Sequence, residues 1–465
     1  LQNPRWQYRP IGFIDDDRRL RGVRIHGITV LGDRNDIPSL AAERGVDLVA
    51  LAIPSAPGTV MREIVGIAQR AGVPMRTVPG LRDLVRDEAS IAQLREVTAD
   101  DLLGREQVDI DAEMCAATLR GKRVLITGAA GFIASELARQ VLAFGPSVLH
   151  LLDVNETGLY DLQRDFAMPQ ARDEHEDTGS KTKIWLCDIA DRAQVDDVFR
   201  QARPEIVFHA AAYKHIPVME DHPHAAMRVN VVGTMNVCTA ARETGVTKFV
   251  FVSTDKAVHP DNVYGATKRI GELLVTAAGE DSDTTFAAVR FGNVMGSRGS
   301  VVPLFLRQIE RGGPVLITDR ETTRYFMSVE EAAALVIQAS AFADHGQIFI
   351  LDMGEKVKIA DLAEKLVRLK GLEPGRDIQI VYTGLRAGEK LHEELVSSSE
   401  KLLATHHAKI SLVQGRPTVT RAELVGKVHE LTASALSREE ISARLHALSR
   451  IDLRDTGDVT RTPAQ

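Results

Sequence analysis

The sequence predicts an α/β fold: a doubly wound parallel sheet, preceded by a second, smaller α/β domain. Three observations predict it. Between 122 and 292, six short apolar runs alternate with amphipathic helical patterns, as in a parallel sheet covered by helices on both faces. The first of those runs ends in a glycine-bearing turn, Thr127-Gly128-Ala129-Ala130-Gly131, that opens a helix. Residues 9–80 repeat the alternation on a shorter scale, and their glycines, Gly12 and Gly32 among them, form no such turn.

In the first domain, 1–80, strands are expected at 9–15 (RPIGFID), 47–53 (DLVALAI) and 73–78, with helices before 47 and over 59–71. An interface or regulatory role fits it better than ligand binding. Residues 81–120 are charged, lack strand signals and read as a helical connector. The main domain, 121–292, has strands at 123–127, 148–152, 184–187, 206–210, 249–253 and 286–291. From 293 to 465 the pattern turns to loops, helices and scattered strands, as in a region that closes over a substrate and interleaves with the sheet. The end reads as a helix and a frayed tail.

Composition narrows the function classes. A chain of 465 residues has room for two to four domains. With 44% apolar and 26% charged residues it is of the globular type, which excludes collagen, a coiled coil or a disordered tail. It has no apolar run of about 18 residues and no signal-peptide pattern at its start. A net charge of -7, from 57 basic and 64 acidic residues, gives no basic footprint, so no nucleic-acid partner is expected. Cys115, Cys187 and Cys238 are far apart. They form neither a disulfide framework nor a zinc site, and suit a reducing compartment as small buried hydrophobes. His406 and His407 lack further ligands at a metal spacing, so no metal is expected. Position 1 is Leu, not Met, and the chain is expected to be a fragment or a processed form.

The turn after the first main strand points to a dinucleotide. In the GxxGxxA pattern, Gly128 permits the tight turn and Gly131 lets the backbone approach a pyrophosphate at the helix N-terminus. Thr127, Phe132 and Ile133 flank it, and Ala134 stands where a third Gly is usual. The second strand ends at Asp153, where a carboxylate accepts ribose hydroxyls and favours NAD over NADP. Asp188-Ile189 ends the third strand as an adenine-edge contact, and Ala210-Ala211-Ala212 ends the fourth with side chains small enough for a cofactor to lie close. Together these predict NAD in a Rossmann domain.

The catalytic candidates follow the fifth strand. Tyr264 and Lys268 are four apart and share one helix face. A lysine beside a phenol favours the phenolate; moving a tyrosine pKa from about 10 towards 7 takes roughly 4 kcal/mol. Such a phenolate accepts an alcohol proton while hydride leaves for NAD. Thr254, Asp255 and Lys256 stand at the strand end just before.

These motifs resemble the extended short-chain dehydrogenase/reductase superfamily. The stretches STDKAVHPDNVYGATKR (253–269), RFGNVMGSRGSVVPLF (290–305), TRYF (323–326) and GLRAGEKLHEE (384–394) are narrower. They resemble the CapD-type polysaccharide-biosynthesis proteins, whose characterised members are UDP-N-acetylglucosamine 4,6-dehydratases. The amino-terminal RPIGFIDDDRRLRGVRIHGITVLG resembles the extra domain of their long form. The resemblance implies a UDP-sugar substrate, a homo-oligomer and a role in surface polysaccharide or capsule synthesis. It also implies a membrane anchor ahead of Leu1, at the cytoplasmic face of a bacterial inner membrane.

A 4-epimerase needs only the base and the hydride relay. A 4,6-dehydratase must also take the C5 proton and protonate the departing C6 hydroxyl. By resemblance Lys256 is the C5 base and Asp255 the C6 acid. A lysine that is neutral at pH 7 requires its pKa to fall by about three units, through burial or nearby positive charge. Tyr264 marks a departure: many long-form relatives have Met there, and the Tyr resembles short dehydratases that invert C5, whereas several long members retain it. Both outcomes stay open.

The expected substrate contacts are Asn293 and Ser297 after the sixth strand, with Arg324, Arg386 and Glu389 at family positions near the nucleotide. A guanidinium suits bidentate contact with a diphosphate. Lys214 and His215 follow the fourth strand, beside the expected nicotinamide, with Glu220. His215 reads equally as an ordinary loop histidine. Asn230 resembles the family's structural asparagine.

Overall fold

The computed structural model describes residues 8–53, 58–78, 94–96, 108–167, 181–297, 299–433 and 435–454. At its centre is a nine-stranded sheet. Its strands are β1 (Arg123–Thr127), β2 (Val148–Asp153), β3 (Lys181–Leu186), β4 (Ile206–His209), β5 (Lys248–Val252), β6 (Thr285–Arg290), β7 (Gln347–Leu351), β8 (Leu402–Ala404) and β9 (Ile410–Gln414). Their order is β8-β9-β7-β6-β5-β4-β1-β2-β3. Strands β1 to β7 run parallel, and β9 joins β7 antiparallel. The chain therefore reverses direction across the sheet beside β1, and the crevice between the carboxyl ends of β1 and β4 is the topological switch point.

Burial explains why these segments are strands. Val124, Leu125, Ile126, Val207, Phe208, Phe249, Phe251, Phe286 and Phe349 are all closed off from solvent. Apolar runs without alternation suit strands covered on both faces. One face packs under the helix Ala112–Leu119, α1 (Phe132–Ala143) and α4 (Val329–Phe342); the other packs under Arg192–Ala202 and α2 (Thr234–Glu243). Helix α3 (Val263–Ala278) is buried nearly all round. Its outer face, with Ile270 and Leu273, is closed by the carboxy-terminal hairpin of α5 (Arg421–Ala433) and α6 (Arg438–Ser449) through Leu424, Val428, Ile441 and Leu445.

All six strands expected between 123 and 291 are present, shifted at their ends by a residue or a few. The sheet does not stop there: β7, β8 and β9 return from the region read as scattered strands. In the amino-terminal part the expected strands shorten to Phe13–Ile14, Val49–Leu51 and Met75–Thr77, with helices Ile37–Arg44 and Gly58–Arg70. A strand not anticipated, Ile28–Gly32, lies between Phe13–Ile14 and Arg24–Ile25. The connector differs as well. Residues 79–93 and 97–107 lie outside the described residues, but Arg95–Glu96 is a strand paired with Arg76 and Thr77 rather than helix. An exposed row of backbone groups on Met75–Thr77 outweighs the local charge pattern there. The tail beyond 454 lies outside the described residues.

Candidate active site

The crevice beside β1 is built from backbone. Gly128 follows β1 with φ +69°, and a Cβ there would stand 2.6 Å from Ala211 Cα. Both the left-handed conformation and the close approach to the end of β4 require glycine. Gly131 is the N-cap of α1, and a Cβ on it would meet the Gly128 carbonyl at 2.9 Å. Gly131 provides no side-chain cap. The N–H groups of the first turn, those of Phe132 and Ile133 among them, therefore lack intrahelical partners and suit an anion. Asp153 ends β2, and its carboxylate accepts the Ala130 N–H at 3.0 Å and the Asn155 N–H at 2.9 Å, so the acidic residue is fixed against the glycine turn.

Behind the turn, Thr127 contacts His209 Nδ1 at 2.6 Å, and His209 Nε2 contacts Thr234 at 3.0 Å. The Thr234 hydroxyl donates to Asn230 O, which assigns the His209 proton to Nε2. Burial and the Lys268 charge hold His209 down at about 3, a neutral structural link. Ala210, Ala211 and Ala212 lie half-buried beside the turn. Asp188 pairs with Arg228 and accepts the Ala190 N–H. The Ile189 side chain is buried against Gly233, in a π-helical segment Met227–Gly233. The side chains of Asp188 and Ile189 thus have their partners within the fold, just past the end of β3.

The second cluster is built from side chains. Thr254, Asp255 and Lys256 leave β5 in a single 3₁₀ turn capped by Thr254. Thr254 Oγ1 donates to Asp255 Oδ1 at 2.9 Å, and Lys256 Nζ donates to the same oxygen at 2.9 Å and to Asn293 Oδ1 at 3.1 Å. The Thr254 hydroxyl also stands beside the Tyr264 phenol and acts to lower its pKa. Gly265 allows this: a Cβ on it would fall 2.2 Å from the Lys256 carbonyl, so only glycine lets α3 approach the turn. The structure therefore brings together Thr254, Asp255, Lys256, Tyr264 and Asn293.

Three electrostatic expectations change. Burial pulls Lys256 down, but the carboxylates of Asp255 and Glu393 together hold it above the usual lysine value rather than three units below. Burial raises the Tyr264 phenol, opposed by the Lys256 charge and the neighbouring Thr254 hydroxyl. Lys268 is not the partner that lowers it. Its Nζ donates to Val252 O at 2.5 Å and lies 3.9 Å above the Phe251 ring, where burial lowers it to about 7.

The residues expected to touch substrate divide into two groups. Lys214 stands near Lys256: burial and the Lys256 charge both lower its pKa. His215 packs against Gly299, and Ser297 is buried in the same loop. Arg386 is exposed. Arg324, by contrast, commits its guanidinium to the strap 384–394. It donates to Leu391 O at 3.1 Å, Lys390 O at 2.8 Å and Thr323 O at 2.8 Å, and pairs with Glu389 at 3.2 Å. Glu389 also accepts from Thr318. The polar groups of Arg324 and Glu389 are thus engaged with the strap's carbonyls, with Thr318 and with each other.

Sequence reasoning missed Glu393. It is 3% exposed, its Oε1 lies 3.9 Å from both Lys256 Nζ and Arg324 Nε, and its Oε2 has no hydrogen-bond partner among the described residues. The signal was the strap's own motif, where Glu393 and Glu394 stand side by side. Asn262 was also missed: it caps α3 on Gly265 N–H at 2.7 Å and donates to Gly388 O at 2.9 Å. Among the described residues no group of three or more His, Cys, Asp or Glu could hold a metal ion, and no helix is long and apolar enough to cross a membrane.

The glycine turn at the switch point, and the Tyr264–Lys268 helix beside it, define a Rossmann protein of the extended short-chain dehydrogenase/reductase kind. Within that class the chain belongs to the polysaccharide biosynthesis protein family, whose model matches residues 124–415. Residues 1–79 match the model of a CoA-binding domain. The capsular polysaccharide biosynthesis protein CapD of Staphylococcus aureus is 42% identical over 404 residues, covering 86% of this chain and 66% of that protein. The chain thus spans just under two thirds of that relative's length. A Campylobacter jejuni protein named UDP-N-acetylglucosamine 4,6-dehydratase (inverting) is 34% identical over 61% of this chain and 79% of its own. The X-ray structure of Pen from Bacillus thuringiensis is 34% identical, covers 65% of this chain and 92% of its own, and superposes with a TM-score of 0.58.

Proposed function

We propose that the chain is an NAD-dependent nucleotide-sugar 4,6-dehydratase that converts UDP-N-acetylglucosamine to a UDP-4-keto-6-deoxy-N-acetylhexosamine for surface-glycan synthesis. The observation that carries this reading is the buried Asp255–Lys256 contact at 2.9 Å, in the turn against which the start of the Tyr264 helix packs. An epimerase has no use for this second acid–base pair, and a non-catalytic assembly protein has no use for either.

NAD fits the crevice because Gly128 and Gly131 leave room where any Cβ would collide, with Asp153 fixed beside them. Lys268 stands on the same side, and Ala210, Ala211 and Ala212 give the close wall. When bound, NAD supplies the acceptor for the C4 hydride and returns it to C6. Tyr264, as the phenolate that the neighbouring Lys256 charge favours, takes the O4 proton. The resulting ketone acidifies C5.

The elimination then balances within one pair. Lys256 passes a proton to Asp255 across their contact, and the free amine takes the C5 proton. A C5–C6 double bond forms as the C6–O bond breaks, and Asp255 protonates the departing oxygen to give water. Lys256 is then ammonium and Asp255 carboxylate; as hydride reaches C6, Lys256 returns its proton to C5 and regains one from the neighbouring Tyr264 phenol, so that all three groups end as they began. This exchange replaces the need for a permanently neutral lysine, which the surrounding carboxylates oppose. Asn293 holds Lys256 Nζ, and Lys214, His215, Ser297 and Arg386 remain as contacts for the UDP-sugar.

Incubation with UDP-N-acetylglucosamine and NAD should give a product lighter by one water in mass spectrometry. Isomerisation without water loss would replace this reading with an epimerase. Asp255→Asn should lower water loss by about 10²–10⁴-fold, the usual contribution of a positioned acid, with little change in NAD binding.

A further inference from the structure

Around Lys256 the carboxyl groups outnumber the ammonium that serves them. Asp255 takes the hydrogen bond from Nζ at 2.9 Å. Glu393, from the strap, comes within 3.9 Å of Lys256 Nζ and of Arg324 Nε, beyond direct hydrogen-bond distance of either. It is closed off from solvent, and its Oε2 has no partner among the described residues. A buried carboxylate in that position has two cations within ion-pair distance but takes a hydrogen bond from neither, and it faces a second carboxylate, so its charge is only partly compensated. The charged and titratable groups around it are Lys256 and Asp255 from the turn after β5, Tyr264 from α3, Arg324 from the strand at 323–324, and Lys390 from its own strap. Burial and Asp255 raise its pKa, while Lys256, Arg324 and Lys390 act against them.

We propose that Glu393 is a positioning residue that works as a neutral carboxylic acid: it seats the strap against Lys256 without adding a second negative charge, and leaves Asp255 as the one carboxylate that exchanges a proton with Lys256. The proposal rests on the dehydratase reading for its catalytic consequence and on geometry for its protonation state. When Glu393 loses its proton, Lys256 is held as ammonium between two carboxylates, and its amine is no longer free to take the C5 proton. Elimination therefore falls on the alkaline side as Glu393 ionises, with substrate binding unaffected.

Two measurements on the full chain test this. In the first, kcat and KM for water loss from UDP-N-acetylglucosamine are followed against pH for wild type, Glu393→Gln and Glu393→Ala. The amide, a neutral mimic, should keep kcat near neutral pH and lose the alkaline fall. The alanine should lower kcat by about 10–100-fold through loss of placement, with KM little changed. A folded Glu393→Gln as impaired as Glu393→Ala would overturn the proposal, because an ionised carboxylate would then be required.

The second measurement needs no turnover. A carboxyl with raised proton affinity in the fold contributes stability that is complete below its ordinary pKa and lost as pH rises through the raised value. The melting temperature of wild type should therefore fall across that window relative to Glu393→Gln; equal slopes would overturn the proposal. Glu393→Met, another neutral side chain of similar length, serves the same comparison if the amide does not fold. A wild type that melts as expected but removes no water would reject the dehydratase reading and leave the neutral carboxyl standing.

Discussion

The two halves of the crevice are made in different ways. The dinucleotide half is backbone: Gly128 and Gly131 clear the space, Ala211 closes it, and the Asp153 carboxylate is held by two N–H groups. The other half is side chains brought from the end of β5, the start of α3, the loop after β6 and the strap 384–394. Two of its carboxyl oxygens, Asp255 Oδ2 and Glu393 Oε2, have no partner among the described residues. The first half is complete as it stands. The second gathers buried titratable groups whose hydrogen-bonding capacity is only partly met, the kind of cluster that functional sites favour. Backbone sets a shape that any dinucleotide shares, and side chains set the reaction.

That difference also governs what was legible in the sequence. A glycine turn between strand and helix is contiguous, and its spacing states its geometry, so Gly128, Gly131 and Asp153 could be read off directly. Asp255, Lys256 and Tyr264 are close in sequence and were legible as a group. Glu393 was not, since it reaches Lys256 only through the fold. Glu393 and Glu394 look alike in sequence, yet the first is buried and the second lies on the surface beside His259. Arg324 and Arg386 look alike too; only the paths of strand and strap separate a buried clamp from an exposed guanidinium. The seventh to ninth strands were missed for a similar reason: they return to the sheet from far along the chain, and their pairing is not a local property.

The contrast can be tested by damaging each half separately. The largest effect is expected at Gly128. Alanine there adds about 1–2 kcal/mol for a left-handed backbone and a further 1–3 kcal/mol for overpacking against Ala211. NAD affinity, read by fluorescence titration, should fall at least about tenfold, and the melting temperature should fall with it. An unchanged affinity would mean that the cradle is not where the dinucleotide lies.

Arg324→Ala addresses the other half. It strips the Leu391 and Lys390 carbonyls of a shared donor, at about 1–2 kcal/mol for part-buried groups. The strap should loosen, with earlier proteolysis near 384–394 and a lower kcat, while NAD affinity stays at the wild-type value. Arg324→Lys should not restore kcat, because one ammonium does not reproduce a fork that spans three carbonyls. Equal losses in kcat and NAD affinity would show that the two halves are not separable.

The smallest effect is expected where the halves meet. Asn262 caps α3 through the Gly265 N–H and, with its amide, holds the strap at Gly388 O. Gly388 is itself pressed against Asn262, where a Cβ would lie 2.7 Å from the asparagine Cβ. Asn262→Ala removes the cap and the strap bond together, at about 1 kcal/mol. Asn262→Asp keeps the acceptor for Gly265 and gives up the donor to Gly388. Hydrogen exchange separates the two roles: the alanine should speed exchange at both Gly265 and the strap, and the aspartate at the strap alone. If the aspartate also speeds exchange at Gly265, the strap is part of what holds the Tyr264 helix, and the two halves are coupled through their shared wall.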